Sequence, residues 1–199
     1  QIVRGLEFFQ RKEIKDVLAY CQLVNNPRDD IAFERTVNTP ARGIGKKTLE
    51  RLTDHAYSYG IPLLEAARTI DQVPTITGRA AKQLAHFVEI IDRLAAIADG
   101  EVEEFIGTVL DQSGYRTALA ESESEEDLNR LANIEELLTD ARQFDEENPG
   151  GGQLEAYLER TWLVNAIDDW DTNTEKVTVM TLHATKGMEF AGGFLVALE

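Results

Sequence analysis

The sequence has few of the residues that build disulfides, metal sites and membrane spans. Its single cysteine, Cys21, cannot form an internal disulfide and lies on an apolar helical face, so we expect a buried thiol in a reducing cytoplasm. The histidines (His55, His86 and His183) have no cysteine partners at metal-ligand spacing. No apolar run approaches the roughly 20 residues that cross a bilayer, and no signal-peptide pattern opens the chain. We therefore expect a cytoplasmic protein with no metal site and no membrane contact.

Charge is distributed unevenly along the chain. The formal net charge of -16 is unusual for a protein that binds nucleic acid. Residues 1–98 hold 14 Lys and Arg against 12 Asp and Glu, whereas residues 99–199 hold 6 against 24. The acidic excess lies mainly at residues 121–127 and 145–147, and such runs are usually solvated. Because salt screens charges beyond about 8–10 Å, a basic cluster in the first half can still bind phosphate.

Apolar residues recur at helical spacing over most of the chain, whose hydrophobic content is 43%. Ile14, Val17 and Cys21 belong to a first amphipathic helix that ends before Pro27. A short helix capped by Asp29 or Asp30, and another opened by Pro62, are also predicted. The longer predicted helices cover residues 46–59, 77–98, 101–113, 125–145 and 154–166.

The predicted fold class is mainly α, with strands only near the two ends. Residues 1–9 are predicted to form a strand entering a turn, and a second strand is predicted from residue 177. One strand before the helical body and two after it are too few for an independent sheet. The pattern therefore predicts a helical body inserted into an α/β domain of which the chain holds only parts.

A specific motif lies at the second predicted strand, which reads Val177-Thr-Val-Met-Thr-Leu-His-Ala-Thr-Lys-Gly-Met-Glu-Phe190. The β-branched run is typical of a buried strand and leads into a polar turn. The polar side chains of this segment belong to Thr181, His183, Lys186 and Glu189. Ligands of open α/β sheets bind at such strand ends, so the motif predicts a ligand contact.

A second motif, Gly43-Ile44-Gly45, joins two predicted helices. Without Cβ atoms on the glycines, backbone N–H groups can approach a phosphate closely, and the following helix presents its positive N-terminal end. Cations and hydroxyls surround the turn, from Thr39, Arg42, Lys46, Lys47, Thr48 and Arg51. We predict that this turn grips a duplex backbone without reading its sequence, in the manner of a helix-hairpin-helix. The alternative is a plain interhelical turn with solvated lysines.

Aromatic residues offer a third possible contact with nucleic acid. Trp162, Trp170, Phe87 and Phe105 could provide platforms on which bases stack. Most of them stand at helical-core spacing or beside acidic residues, which repel a phosphate backbone. We therefore predict that they pack in the core.

Together these segments resemble the UvrD/PcrA/Rep group of superfamily 1 DNA helicases. Residues 177–190 are similar to motif V of that group, and residues 8–20 to a segment of its second RecA-like domain, 2A. Residues 30–48 resemble the entry to the helical 2B subdomain, which is inserted into 2A. With residues 133–137, the likeness covers essentially the whole chain. The turn at residues 43–45 is more similar to UvrD and PcrA than to Rep.

The resemblance implies three parts. Residues 1–28 would begin the RecA-like domain 2A, residues 29–170 would form the 2B-type subdomain, and residues 171–199 would return to 2A with motif V. The parent protein would be an ATP-dependent 3′–5′ DNA helicase of repair or replication, with ATP and Mg²⁺ as cofactors. Its partners would be duplex and single-stranded DNA, together with repair proteins.

The resemblance also implies roles for the motif V residues. Thr181 and His183 would contact the backbone of single-stranded DNA, Lys186 would position the turn, and Glu189 would contact the ribose of the nucleotide. These roles couple nucleotide to DNA in the parent enzyme.

Two departures from the family limit what this chain can do alone. It contains no G-x-x-x-x-G-K-[ST] phosphate loop, and it stops before the arginine-bearing motif VI. Phosphoryl transfer needs the phosphate cradle, the metal and the arginine together, so we predict no catalytic residue, no bound cofactor and no ATPase activity here. Two alternatives remain open: a protein-interaction module whose acidic half docks a basic partner, and part of a helicase–nuclease.

Overall fold

A computed structural model describes residues 7–122 and 124–168. This part of the chain is built from helices and contains no strand, which confirms the mainly α prediction. The predicted strand of residues 177–190, with motif V, lies outside the described residues. The helices are α1 Glu7–Gln10, α2 Lys12–Asn25, α3 Asp30–Thr36, α4 Lys46–Tyr59, α5 Leu63–Arg68, α6 Gly78–Ala95, α7 Val102–Gln112, α8 Tyr115–Ala120, α9 Glu125–Glu147 and α10 Leu154–Asp168, with a 3₁₀ turn at Ile70–Gln72.

The prediction of a strand at residues 1–9 is wrong where the structure describes it, because α1 is a helical turn. Phe8 and Phe9 are both buried, with their ring centroids 5.1 Å apart. Successive side chains of a strand point to opposite faces, so two adjacent buried phenylalanines suit a helical turn better. The N–H of Arg11 donates to the carbonyl of Phe8 at 3.2 Å and closes this turn.

The sequence patterns also missed α8. Gly114 has φ +78 and separates α8 from α7, a conformation that glycine adopts without a steric penalty. Tyr115 and Leu119, four residues apart, are the buried residues of this short helix. Two apolar positions are too few to reveal a helical period, so the sequence does not predict this helix.

Helix ends are fixed by short side chains and by one long-range contact. Asp29 caps α3, as predicted, by accepting a hydrogen bond from the N–H of Ala32 at 2.9 Å. The carboxylate of Asp145 in α9 accepts from the N–H groups of Val102 and Glu103, at 3.0 and 2.9 Å, and so caps α7. Thr77 stands at the N-cap of α6, but its side chain makes no capping hydrogen bond in the described part of the chain.

Helix α2 lies at the centre of the core. Ile14, Cys21 and Leu23 are fully buried, and α2 packs against α3, α6, α7, α9 and α10. Burial raises the pKa of the Cys21 thiol to about 12, as expected for an inert core thiol. The sequence assigns α2 to residues 1–28 and the other helices to residues 29–170, yet all of them share one core. The three-part division stays a prediction.

A buried polar cluster links α2 to its neighbours. The carboxylate of Asp16 accepts from Arg35 Nε of α3 at 2.8 Å and from Tyr115 Oη of α8 at 2.9 Å. The side chain of Asn133 in α9 donates to Glu13 Oε1 at 2.5 Å and accepts from the guanidinium of Arg11. These contacts fix α2 against three other helices through hydrogen bonds as well as apolar packing.

The aromatic predictions are confirmed for two residues and wrong for one. Phe87 and Phe105 are buried, and the Phe87 ring meets that of Phe33 edge-on at 5.5 Å. Trp162 is 63% exposed. The buried side of α10 carries Leu154, Leu158 and Thr161 at helical spacing, so the next position turns away from the core. Trp170 lies outside the described residues.

Candidate nucleic-acid interface

The predicted DNA-contacting turn lies in the loop between α3 and α4. Gly43 has φ +74, in the left-handed region that favours glycine. Gly45 is the N-cap residue of α4, and its carbonyl accepts from the N–H groups of Thr48 at 2.9 Å and Leu49 at 3.2 Å. Among the described residues, no side chain caps α4 and no acceptor lies on the N–H groups of Lys46 and Lys47. The exposed N-terminal end of α4 can therefore receive an anion.

Asn38 shapes the turn from within the same loop, a role that the sequence patterns missed. Its side-chain Oδ1 accepts from the N–H of Arg42 at 2.7 Å and from the N–H of Ile44 at 3.2 Å. An asparagine that binds backbone N–H groups a few residues ahead is the local signal for such a turn. The Ile44 side chain is 1% exposed, so it anchors the turn in the core.

Arg42 holds the loop rather than extending into solvent. Its Nη1 donates to the carbonyls of Thr36, Val37 and Pro40, at 3.0, 3.3 and 3.2 Å. Its Nη2 donates to Tyr20 Oη at 2.7 Å and to the carbonyl of Ser113 at 3.0 Å. The guanidinium also lies 5.3 Å from the centroid of the Phe87 ring. Because both guanidinium NH₂ groups of Arg42 already donate to atoms of the protein, the geometry supports a positioning role for Arg42 more than a contact with phosphate.

The predicted lysines lie at the surface of the first turn of α4. Lys46 is 91% exposed and its Nζ lies 3.8 Å from Glu50 Oε1, a weak pair of the i, i+4 type. Lys47 is exposed and makes no ion pair with any described residue. Arg51, one turn later, donates from Nη1 to the carbonyl of Thr75 at 2.6 Å and so ties α4 to the segment before α6.

The two predicted hydroxyl residues are half-buried beside the turn. The carbonyl of Thr39 accepts from Tyr20 Oη at 2.5 Å, so its backbone serves the loop. Thr48 lies in the first turn of α4. The structure thus brings together the residues predicted between Thr39 and Thr48, while Thr181, His183, Lys186 and Glu189 lie outside the described residues.

A polar groove of about 480 Å³ opens beside Gly43. One wall is the loop at residues 40–43, the second is α6 and the third is the segment 111–114. The α6 wall carries Arg79, Gln83 and His86, which the sequence patterns did not single out.

The fold and this turn define a helical domain in which an exposed basic loop joins two helices. The chain belongs to the UvrD-like helicase C-terminal domain family, whose model matches residues 1–199. It is 40% identical over 202 residues to DNA helicase II of Escherichia coli (strain K12) and 38% identical over 205 residues to ATP-dependent DNA helicase PcrA of Bacillus subtilis (strain 168). It is 35% identical over 215 residues to ATP-dependent DNA helicase UvrD1 of Mycobacterium tuberculosis (strain ATCC 25618 / H37Rv).

Each of these alignments covers 100% of this chain and 28% of the relative. The chain therefore spans little more than a quarter of the length of the curated relatives that it matches. The family inferred from the sequence motifs is confirmed. In the described residues, no helix has the length and apolar character needed to cross a membrane.

Proposed function

We propose that this chain is part of an ATP-dependent DNA helicase and that it holds duplex DNA through the turn at residues 43–45. The similarity to DNA helicase II and to PcrA supports the helicase part. One observation supports the DNA contact: a chain with a net charge of -16 keeps Lys46 and Lys47 exposed at an uncapped helix N-terminus. Around them, residues 39–51 hold four Lys and Arg against one acidic residue.

The proposed contact places a DNA phosphate in front of α4. The N–H groups of Lys46 and Lys47 point along the helix axis toward this position, and the helix end adds about half a positive charge. Gly43 and Gly45 keep the approach free of side chains, while the two lysine ammonium groups add charge from the flanks. Backbone N–H groups and lysines carry no information about bases, so binding is independent of sequence.

Arg42 and Asn38 keep this arrangement in place before DNA arrives. Asn38 binds two backbone N–H groups of the loop, and Arg42 binds carbonyls beside it and links the loop to Tyr20 of the central helix. Because the N–H groups are already oriented, binding costs little reorganisation. Arg42 therefore contributes through the shape of the turn.

The parent helicase would use the remaining predicted residues in ATP-driven 3′–5′ unwinding during repair or replication. Thr181, His183 and Lys186 would couple to single-stranded DNA, and Glu189 would contact the nucleotide. The described residues contain no group of three His, Cys, Asp or Glu side chains placed to hold a metal, and the sequence has no phosphate loop. We therefore assign the binding of ATP phosphates and Mg²⁺ to parts of the parent protein that this chain does not span.

The test is a fluorescence anisotropy titration of the 199-residue chain with labelled duplex DNA, at salt concentrations from about 50 to about 200 mM. Each phosphate contact contributes about -0.9 to the slope of log K against log salt. The double variant Lys46→Glu/Lys47→Glu should weaken binding by about tenfold or more, which corresponds to about 1.4 kcal/mol. The control Arg28→Glu/Arg93→Glu makes the same change in net charge at two exposed arginines away from the turn. It should bind almost like the unaltered chain.

Two outcomes would contradict the proposal. A flat salt response of the unaltered chain would exclude phosphate contacts and favour the protein-interaction module instead. Equal losses in the lysine variant and in the arginine control would show that only the overall charge of the chain matters.

A further inference from the structure

Helix α6 directs a row of polar side chains into the groove beside Gly43. Arg79, Gln83 and His86 follow at i, i+4 and i+7, and this spacing places them on one face of the helix. Arg79 and His86 are exposed and Gln83 is half-buried, so all three are accessible from the groove. The row starts next to the turn that we propose to hold DNA.

Arg79 lies close enough to the turn to share a ligand with it. A Cβ atom built on Gly43 would lie 3.9 Å from Arg79 Nη2, so the guanidinium lies beside the loop with room for about one methyl group between them. Within the described residues the Arg79 guanidinium has no ion pair and no hydrogen-bond acceptor. Its N–H donors match the geometry of a phosphate group.

The groove is positive on the α6 side. Residues 75–88 hold two cations and no acidic residue. Of the two cations, Arg79 lines the groove and Lys82 lies outside its lining. The carboxylate on the opposite wall, Asp111 Oδ1, is paired with Arg116 Nε at 3.1 Å, which offsets part of its charge, since Arg116 also pairs with Glu135. His86 Nδ1 lies 3.6 Å from Glu89 Oε2, and the His86 side chain lines the groove.

The length of the row fits a DNA strand. Seven residues separate Arg79 from His86, which corresponds to about 10 Å along the helix axis. One strand of a duplex places a phosphate about every 3.4 Å along the duplex axis. Neighbouring phosphates lie farther apart along the winding strand itself, so the row can reach about two phosphates. A strand held at the turn would thus meet several donors in succession as it continues along α6.

We propose that Arg79, Gln83 and His86 bind the DNA phosphates that follow the phosphate held at residues 43–45. The backbone of one strand then runs from the N-terminal end of α4 into the groove along α6. This inference rests on the proposed function of the turn and extends its DNA-binding surface to a second helix. Arg79 supplies charge and a planar donor pair, while Gln83 and His86 supply further N–H donors.

The test uses the same salt titration with three α6 variants. Arg79→Ala should reduce the size of the salt slope by about 0.9, because one phosphate contact is lost, whereas Arg79→Lys should keep the slope. Gln83→Glu introduces a carboxylate into the groove without changing its size and should weaken binding at least as much as Arg79→Ala. The matched control, Arg93→Ala, removes an exposed arginine from the last turn of the same helix, outside the groove, and should leave both slope and affinity unchanged.

The outcomes separate this inference from the proposal on which it rests. If the Lys46/Lys47 variant weakens binding while Arg79→Ala and Gln83→Glu do not, the α6 row is not a contact and the turn remains one. If Arg93→Ala changes the slope as much as Arg79→Ala, the effect is one of net charge and the row is again excluded. A flat response of the unaltered chain would overturn both. Circular dichroism of each variant confirms that the substitution of a surface side chain leaves the fold intact.

Discussion

Arg42 Nη2 donates a hydrogen bond to Tyr20 Oη across 2.7 Å and ties the loop before α4 to the central helix α2. The same phenol oxygen lies 2.5 Å from the carbonyl of Thr39 and 3.1 Å from that of Thr36, so the end of α3 and the start of the loop meet one side chain. The position of the turn at residues 43–45 is therefore set by a residue of the core. A rigid support of this kind is what a precise backbone contact requires.

Arg42→Ala should destabilise the chain by about 2–3 kcal/mol, because several carbonyls and the Tyr20 hydroxyl lose their donor at a partly buried site. Arg42→Lys should recover only part of this loss, since an ammonium group cannot reach the same set of acceptors. Urea unfolding followed by circular dichroism measures both. Arg93→Ala, at an exposed site without these contacts, should change the free energy of unfolding by less than about 0.5 kcal/mol. An Arg42→Ala variant as stable as this control would show that the contacts of Arg42 do not support the loop.

Alkaline pH should weaken the fold through its buried tyrosines. Burial raises the pKa of Tyr20 to about 12, against the opposing effect of Arg42, and burial also raises the pKa values of Tyr115 and Tyr157. The unfolded chain ionises its tyrosines near pH 10, so the folded state binds more protons above this value. The stabilisation that comes from keeping these tyrosines protonated is fully present below about pH 10. It is lost as the pH rises through their pKa values in the folded state.

The measurement is the free energy of unfolding as a function of pH, with phenolate absorbance as a direct monitor of ionisation. Tyr20→Phe should lower stability at neutral pH by about 1 kcal/mol, because its hydrogen bonds are lost, and should flatten the decline between about pH 10 and 12. Tyr57→Phe removes an exposed hydroxyl and is the matched control. The pH account fails if Tyr20→Phe follows the same alkaline curve as the unaltered chain.

The two glycines of the turn should respond differently to substitution. Gly43→Ala should cost about 1 kcal/mol, since φ +74 disfavours a Cβ atom, although the nearest atom, Arg79 Nη2, leaves room for it. Gly45 has φ -78 and nothing within 4 Å of a built Cβ. Gly45→Ser should therefore keep or raise stability, because serine is a favoured N-cap residue.

The Gly45→Ser variant should bind DNA more weakly, although its stability is kept or raised. The serine hydroxyl would accept from the free N–H groups at the start of α4 and compete with a phosphate for them. We expect a variant that unfolds no more easily than the unaltered chain but binds duplex DNA more weakly. Unchanged anisotropy curves for Gly45→Ser would argue that phosphate does not approach the end of α4.

The sequence predicted the long helices well and the contacts between them poorly. The apolar stripes of α2 and α6 repeat over several turns, so the period alone identified them. Arg42 looked like a surface cation because nothing local shows that it meets Tyr20, 22 residues earlier, or Ser113, 71 residues later. Such contacts depend on tertiary packing, so no repeating pattern in the sequence predicts them.

The same limit explains why the α6 row was missed. Arg79 and Gly43 are 36 residues apart in the chain and become neighbours only when α6 packs beside the loop. Lys46 and Lys47, in contrast, follow the glycine turn directly, so a local pattern was enough to single them out. The sequence thus identified the local half of the basic surface and not the half that α6 contributes.

Asn133 should be the residue through which α9 stabilises the start of α2. Its side chain donates to Glu13, a residue that is only 5% exposed, and accepts from Arg11. Asn133→Ala leaves the buried carboxylate without this donor and should cost about 1–3 kcal/mol in the free energy of unfolding. Asn133→Asp should cost more at neutral pH, because it places a second carboxylate against Glu13.

A double-mutant cycle with Glu13→Ala, which removes the acceptor, isolates this contact from the general effect of each substitution. Urea unfolding of the two single variants and the double variant should give a coupling energy of about 0.5–3 kcal/mol, as expected for residues joined by one hydrogen bond at a buried site. Asn148→Ala is the matched control for Asn133→Ala. The Asn148 side chain also donates a hydrogen bond, but to the carbonyl of Phe144 at the end of α9 and not to another helix. If the cycle is additive within error, the link between α9 and α2 rests on apolar packing alone, and the polar contacts of Asn133 contribute nothing measurable to it.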